Sequence, residues 1–166
     1  MFLTFRSVQQ IAALPFVCGQ DEPLVLLITS RERKRWIVPK GWPVGKLAPS
    51  EAAAKEAEEE AGLVGQVALD PLGFFHYEKR MSQGYSVPCR VSVYPLLVTE
   101  QRADWKERGE RSLLWVPLSE AIGLVDDIGL AKLLKKLKKS ECRALRKLSD
   151  SWSEAALVDV PQRIAG

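Results

Sequence analysis

Short apolar runs that end at polar or turn-forming residues recur along the chain, with lengths typical of strands rather than helices. Several are rich in branched and aromatic side chains, as strands usually are. A further apolar segment, 7–17, contains Pro15, which has no N–H for a sheet ladder, so we expect this segment at a sheet edge or a bulge. The pattern predicts a sheet of five or six strands. Besides the segment 7–17, the predicted strands lie at 23–30, 36–38, 69–77, 86–98 and 112–116.

Three segments carry helical signals, and the first is the best defined. It covers 49–61, begins with Pro49, which suits a first helical turn, and contains three consecutive alanines. Gly62 follows it, at the position where a left-handed C-terminal cap is expected. The other two segments are 119–125 and 130–148. Strands and helices in this order predict a protein of the mixed α and β class.

The helix predicted at 49–61 has an acidic face. At 100° per residue, Glu56, Glu59 and Glu60 fall within an arc of about 100°, near the helix C-terminus. Each like-charge pair at this spacing costs about 0.2–0.5 kcal/mol, and the helix dipole also disfavours anions there. Two interpretations remain open: a solvated acidic face, because Glu is a good helix former, or a site for a divalent cation such as Mg²⁺ or Mn²⁺.

The composition is that of an ordinary globular protein, with 166 residues, 46% hydrophobic and 27% charged positions and a net charge of +3. This length predicts one domain, which we assign to 1–150, followed by a tail at 151–166. The apolar runs are shorter than the roughly 18 residues that span a bilayer, and the N-terminus lacks the pattern of a secretory signal. We therefore expect a cytoplasmic protein.

What the sequence lacks disfavours several chemistries. Cys18, Cys89 and Cys142 are odd in number and far apart, which argues against a disulfide framework and against a zinc cluster. His76 is the only histidine, so the two-histidine zinc motif is absent, and we interpret this residue as structural. Neither a P-loop nor a Gly-x-Gly-x-x-Gly dinucleotide motif occurs.

Together with the loop before it, the acidic helix resembles the Nudix box. That motif runs Gly, five residues, Glu, seven residues, Arg-Glu, an aliphatic residue, any residue, Glu-Glu, any residue, Gly and an aliphatic residue. It fits 41–63 without an insertion. The chain departs from it at Leu47, where the family has Glu, at Lys55, where it has Arg, and at Ala57, where it has a larger aliphatic residue. The matching positions are Gly41, Glu56, Glu59, Glu60, Gly62 and Leu63.

The resemblance implies an α+β fold, namely a Nudix-type α/β/α sandwich with a mixed β-sheet. It also implies that the carbonyl of Gly41 and the carboxylates of Glu56, Glu59 and Glu60 hold Mg²⁺, or Mn²⁺ in its place. Glu59 would either complete the metal shell or take the proton from the attacking water. Lys55 would orient neighbouring carboxylates, as the family's Arg does. Catalysis is thus assigned to Glu59, Glu56 and Lys55.

Resemblance beyond the box, over about 7–148, is to the branch that hydrolyses diphosphoinositol polyphosphates and diadenosine polyphosphates. It implies a Mg²⁺-dependent pyrophosphohydrolase that cleaves a diphosphate linkage. Two alternatives remain: a non-catalytic module that binds a nucleotide or RNA, or a Nudix enzyme acting on nucleoside triphosphates, nucleotide sugars or capped RNA. The matching segments are 27–31, 35–39, 77–80, 98–100, 104–105, 114–118 and 120–121.

Basic residues add two expectations. A polyphosphate needs cations beyond the metal site, and we assign substrate binding to Arg31, Arg35 and Lys40. Lys40 is favoured because it adjoins Gly41, whereas Arg31 also fits an exposed charged turn. Within 130–148, eight Lys or Arg residues accompany leucines at helical spacing. This basic helix is a solvated face, a site for RNA or long polyphosphate, or a contact with an acidic membrane.

Overall fold

The computed structural model describes residues 7–151, and within them the chain forms eight strands and four helices. The strands are β1 (Val8–Val17), β2 (Leu24–Thr29), β3 (Trp36–Ile37), β4 (Lys40–Gly41), β5 (Leu63–Val67), β6 (Gly73–Arg80), β7 (Ser86–Gln101) and β8 (Leu113–Pro117). The helices are α1 (Pro49–Ala61), α2 (Leu118–Leu124), α3 (Ile128–Lys139) and α4 (Arg143–Asp150).

The eight strands of the described region form one mixed sheet. Its main order is β3-β2-β1-β7-β5, with β4 paired to β1, β8 to β2 and β6 to β7. The central pair, β1 and β7, is parallel, and the other pairs are antiparallel. With 16 residues, β7 is long enough to pair with β6 along its first half and with β5 along its second half.

Helices cover both faces of this sheet. On one face α1 packs its buried alanines against Ile11 and Ala13 of β1. On the other face α2, α3 and α4 pack against Ala12, Leu14 and Phe16. Side chains alternate between the two faces of a strand, so a continuous apolar run such as β1 serves both cores. The predicted α/β/α sandwich with a mixed sheet is confirmed.

β1 is a central strand, so the expectation that Pro15 places its segment at an edge or a bulge is wrong. The reason is a change of partner along β1. Ala13 N–H donates to Pro39 C=O (3.0 Å), and alternation directs the nitrogen of Pro15 to the same side. On that side the pairing with β4 ends at Ala12 and the pairing with β2 begins at Phe16. Pro15 therefore lies between the β4 ladder and the β2 ladder, where its nitrogen faces no strand to which it would have to donate.

The other five predicted strands exist, but their ends differ and two further strands were not predicted. The segment predicted at 69–77 forms β6 three to four residues later. β4 and β5 are short, and β5 contains Gly65, where a Cβ would lie 2.0 Å from the carbonyl oxygen of Leu97. The ladder between β5 and β7 shifts register at Val64/Gly65, and β5 lacks the continuous apolar run used for the prediction, so the count of five or six strands was too low.

The helix predicted at 49–61 is confirmed with the same bounds, and α2 lies one residue earlier than predicted. The prediction of one continuous helix over 130–148 is wrong. Glu141 and Cys142 adopt left-handed φ angles of 57° and 55° and separate α3 from α4. Cys142 N–H donates to the carbonyl of Leu137 (3.0 Å), which caps the end of α3.

Within residues 7–151 no helix is long and apolar enough to cross a membrane. Cys18, Cys89 and Cys142 are free thiols in the structure; Cys89 and Cys142 are buried, whereas Cys18 is exposed. The domain boundary at 150 stays a prediction. The tail predicted at 151–166 lies outside the described residues from 152 onward.

Candidate metal and phosphate site

Small side chains let α1 lie close to the sheet and fix the direction of its acidic face. Ala53, Ala57 and Ala61 are fully buried. The helix ends at Ala61 and is capped by Gly62, whose φ of 69° is left-handed and strained for other residues. A Cβ at Gly62 would also lie 2.6 Å from the ring of Trp105. The buried alanines and the glycine end together set the rotation of α1, and therefore where its carboxylates point.

The backbone of the loop before α1 meets Glu56 at Gly41. Gly41 lies in β4 and pairs with Ile11 of β1. A Cβ built on Gly41 would lie 2.2 Å from Glu56 Oε1, so any other residue would displace this carboxylate. A backbone peptide group and a carboxylate are thus adjacent, and oxygen atoms of these two types are ligands for hard divalent cations.

Gly41→Ala is expected to weaken Mn²⁺ binding by at least about tenfold, because the added methyl group displaces the Glu56 carboxylate. Calorimetric titration of the purified protein with Mn²⁺ measures the effect. Gly123→Ala is the control, since a Cβ at Gly123 would meet nothing within 4 Å. Equal Mn²⁺ affinity in Gly41→Ala and in the control would contradict a metal role for this contact.

Glu60 is the buried end of the acidic face, with only 5% of its surface exposed. Its Oε1 accepts a hydrogen bond from Arg111 Nη2 (3.3 Å), whereas its Oε2 is buried and has no hydrogen-bond partner among the described residues. Burial raises the pKa of Glu60 to about 7, although Arg111 opposes the rise. Burial, and next the charge of Glu59, also raise the pKa of Glu56. A bound cation would satisfy the orphaned oxygen of Glu60.

Two residues that the sequence did not single out, Glu107 and Arg111, complete this charged centre. Both side chains are about nine-tenths buried. Arg111 Nη2 lies 3.5 Å from Glu107 Oε1, and its Nη1 donates to the carbonyl of Thr29 (3.0 Å). Arg31 pairs with the same oxygen of Glu107 from the exposed side. Two buried carboxylates, those of Glu60 and Glu107, therefore share one buried guanidinium.

Glu59 is less buried than Glu60 and lies between two lysines. Its Oε1 is 3.8 Å from Lys55 Nζ, and its Oε2 is 3.8 Å from Lys106 Nζ. The contact with Lys55 is of the kind that would orient a carboxylate. The catalytic roles assigned to Glu59, Glu56 and Lys55 stay predictions.

The groups around Gly41 fit a divalent cation, although within residues 7–151 no three acidic, His or Cys side chains form a ready-made cage. Two observations support the fit. Glu60 Oε2 is buried without a partner, and the missing side chain of Gly41 gives room to Glu56. Mg²⁺ keeps several waters and commonly binds one or two protein carboxylates together with substrate phosphates. A complete protein cage is therefore unnecessary for this ion.

The three predicted phosphate-binding cations occupy different environments. Lys40 precedes Gly41 on β4, so its side chain projects to the face of the sheet opposite α1. There its Nζ lies 5.1 Å from the ring centre of Tyr77. Burial, and next the charge of Lys79, lower the pKa of Lys40. Arg31 pairs with Glu107, as described above. Arg35 forms an ion pair with Asp126 (2.9 Å), which a phosphate would have to displace.

Comparison with known proteins identifies the class. The family model of the NUDIX domain matches residues 8–137, so the chain belongs to the NUDIX domain family.

The chain is similar to Nudix hydrolase 16, mitochondrial, of Arabidopsis thaliana, with 35% identity over 101 residues, covering 59% of this chain and 56% of that protein. It is also similar to Nudix hydrolase 21, chloroplastic, of the same plant, with 34% identity over 127 residues (75% and 62%). A third relative is diphosphoinositol polyphosphate phosphohydrolase 2 of Rattus norvegicus, with 34% identity over 116 residues (69% and 60%). The chain spans less than two thirds of the length of each.

Solved structures share the fold. An Ap4A hydrolase of C. elegans superposes with a TM-score of 0.56 at 18% identity, covering 81% of this chain and 98% of that one. A MutT protein of Methanosarcina mazei Go1 gives a TM-score of 0.61 at 18% identity, covering 84% and 99%. At these identities the likeness shows a common architecture only.

Proposed function

We propose that this chain is a Mg²⁺-dependent pyrophosphohydrolase that cleaves a diphosphate linkage in a diadenosine polyphosphate or a diphosphoinositol polyphosphate. One observation carries the proposal: the orphaned, buried Oε2 of Glu60 lies in the acidic centre that Glu56 shares with the Gly41 backbone. One named relative, a diphosphoinositol polyphosphate phosphohydrolase, supports this substrate class.

The Gly41 carbonyl and the carboxylates of Glu56, Glu59 and Glu60 would hold the ion. When bound there, Mg²⁺ would supply positive charge that offsets the charge on phosphoryl oxygens and would make phosphorus more open to attack by water. Arg111 holds Glu60 in place through its Nη2. Glu59, held between two lysines, either contributes an oxygen to the ion or takes the proton from the attacking water.

Cations outside the acidic centre would bind the rest of a polyphosphate. Lys40 and Lys79 lie on the face opposite α1, and their charges interact. Lys79 Nζ is 5.4 Å from the ring centre of Trp42, which is 42% exposed. A half-exposed aromatic ring beside a lysine suits a substrate with a flat group attached to phosphates, such as a dinucleoside polyphosphate.

A substrate panel tests the proposed activity directly. The purified chain is incubated with a diadenosine polyphosphate, a diphosphoinositol polyphosphate, a nucleoside triphosphate, a nucleotide sugar and a capped RNA fragment, in Mg²⁺, Mn²⁺ or EDTA. Chromatography resolves the products. We expect metal-dependent cleavage of one of the first two compounds. Binding of these compounds without cleavage in any metal would favour the non-catalytic alternative, and cleavage of only the last three would refute the substrate class.

Lys40→Met is expected to raise KM or lower kcat by about tenfold or more, because it removes a charged contact to a phosphate while keeping the apolar stem on Tyr77. The melting temperature should change little. Steady-state kinetics on the preferred substrate and a thermal melt measure both quantities. The exposed Lys46, in the loop that follows β4, provides the control variant Lys46→Met. Wild-type kinetics together with a lower melting temperature would make Lys40 a structural residue.

A cytoplasmic location also stays a prediction. Two similar plant proteins are named as mitochondrial and chloroplastic, so relatives do not support one compartment. Fractionation of cells that produce a tagged chain decides it.

A further inference from the structure

Trp42 is an exposed aromatic residue beside the acidic centre, although the chemistry at the metal does not involve it. It follows Gly41, in the stretch of the Nudix box that accepts any residue. The residue is 42% exposed, and Lys79 Nζ lies 5.4 Å from its ring centre. A ring that is contacted by a cation and still open to solvent can stack on a flat ligand.

A second pair of a ring and a lysine connects Trp42 to the acidic centre. Lys40 Nζ lies 5.1 Å from the ring centre of Tyr77. Tyr77 and Lys79 are two positions apart on β6, so both side chains point to the α3 side of the sheet. The charge of Lys40 interacts with the charges of Lys79 and Glu60. The two lysines therefore form a short positive path from Trp42 towards the acidic centre.

These two lysines are available to phosphate, whereas the other cations at the acidic centre are engaged. Within residues 7–151 no ion pair involves Lys40 or Lys79. The engaged cations are Arg111, paired with Glu60 and Glu107, Arg31, paired with Glu107, and Lys55 and Lys106, both close to Glu59. Two free cations suit a short chain of phosphates better than a densely phosphorylated ring.

The two substrate classes of the proposed function make different demands on this surface. A diphosphoinositol polyphosphate is an aliphatic ring with a phosphate on most of its carbons, so it needs cations on several sides and offers no aromatic face. A dinucleoside polyphosphate has a short chain of phosphates between two flat bases. An exposed ring joined to the acidic centre by two free cations matches the second compound.

We infer that Trp42 is a specificity-determining residue: it stacks on a nucleobase and so makes a dinucleoside polyphosphate, rather than a diphosphoinositol polyphosphate, the substrate. Lys79 and Lys40 bind the phosphates that lead from this base to the acidic centre. The inference rests on the proposed function, because it names which of the two substrate classes the same site takes.

Calorimetric titration of the full chain with adenosine tetraphosphate and with inorganic tetraphosphate, in EDTA, tests base recognition apart from catalysis. The two ligands carry the same number of phosphates and differ in the nucleoside. We expect the adenosine compound to bind about fivefold to 100-fold more tightly, the range that stacking of one base on a ring provides. Trp42→Leu should remove this difference, whereas Trp42→Phe, which keeps an aromatic face, should retain most of it.

The matched control is Phe74→Leu. Phe74 is a half-exposed ring (50%) on β6, and alternation places its side chain on the face of the sheet away from Lys79. This variant should bind both ligands like the unmodified chain. Lys79→Met should weaken both ligands to a similar extent, because it removes a phosphate contact and leaves the rings. A thermal melt of each variant checks folding.

Steady-state kinetics in Mg²⁺ connects base recognition to the reaction. We expect a higher kcat/KM for diadenosine tetraphosphate than for a diphosphoinositol polyphosphate. Trp42→Leu should lower the first value by about fivefold to 100-fold and leave the second nearly unchanged.

The inference is overturned if the two tetraphosphates bind the unmodified chain equally, or if a folded Trp42→Leu variant keeps the difference between them. It is also overturned if Phe74→Leu loses as much affinity as Trp42→Leu, or if the diphosphoinositol compound is the better substrate. That last result would leave the proposed function standing. Absence of cleavage of both compounds would instead refute the proposed function, and the calorimetric comparison would then decide the role of Trp42 by itself.

Discussion

Glu60→Gln is expected to abolish metal-dependent hydrolysis while leaving the fold intact. The amide keeps the shape of the side chain and its contact with Arg111, but it removes the charge that attracts a cation to the buried Oε2. Changing a residue that only supports a metal ligand commonly lowers metal affinity or activity by about 10–100-fold. Loss of a direct ligand should therefore lower kcat/KM by at least about 100-fold. The free energy of unfolding should not fall, because a neutral side chain is buried more easily than a carboxylate.

The matched control for this prediction is Glu58→Gln on the same helix. Glu58 is half-exposed and pairs with Arg102 (2.6 Å), away from the buried centre. We expect this variant to retain both activity and Mn²⁺ affinity. Mn²⁺ titration, steady-state kinetics and urea unfolding of the two variants together separate the loss of metal from the loss of structure. Unchanged turnover and Mn²⁺ affinity in Glu60→Gln would remove Glu60 from the metal site.

Helical periodicity was enough to group Glu56, Glu59 and Glu60 on one face, because spacing along a helix determines direction. Their depths could not be predicted in this way. Glu60 is buried and Glu59 lies between lysines, since these properties depend on what α1 packs against. The contact between Gly41 and Glu56 was implied only by the family resemblance. For Lys40 the sequence suggested the wrong direction. Neighbouring residues of a strand face opposite sides of the sheet, so adjacency to Gly41 places the Lys40 side chain on the face away from α1.

Glu107 and Arg111 were beyond sequence-based reasoning for a physical reason. Arg111 is 51 positions from Glu60, in a charged segment between β7 and β8 that has no periodicity. Such a segment is typical of a solvated turn, and only the tertiary fold brings it over the acidic helix. A similar limit applied to β1. Its apolar run predicted a strand, but Pro15 was acceptable at the centre only because two partner strands end there.

Arg111→Met is expected to cause the largest loss of stability among the changes considered. The side chains of Arg111, Glu60 and Glu107 are each about 90% buried or more, so solvent screens their interactions little. Removing the guanidinium leaves Glu60 without a described partner, while Glu107 keeps Arg31. Breaking a buried pair by removing one partner costs about 3–5 kcal/mol, so we expect a decrease of that size in the free energy of unfolding.

Urea unfolding in EDTA measures this decrease, with Arg108→Met as the control. Arg108 is exposed and lies 3.9 Å from Asp104, so its removal should change stability by less than about 0.5 kcal/mol. If the loss in Arg111→Met comes from an uncompensated carboxylate, adding Glu60→Gln to it should restore part of the stability. Mn²⁺ should stabilise Arg111→Met but not the double variant, because only the former keeps the carboxylate that attracts the ion. Equal losses in the single and double variants would show that Arg111 acts through packing and its bond to Thr29, not through charge.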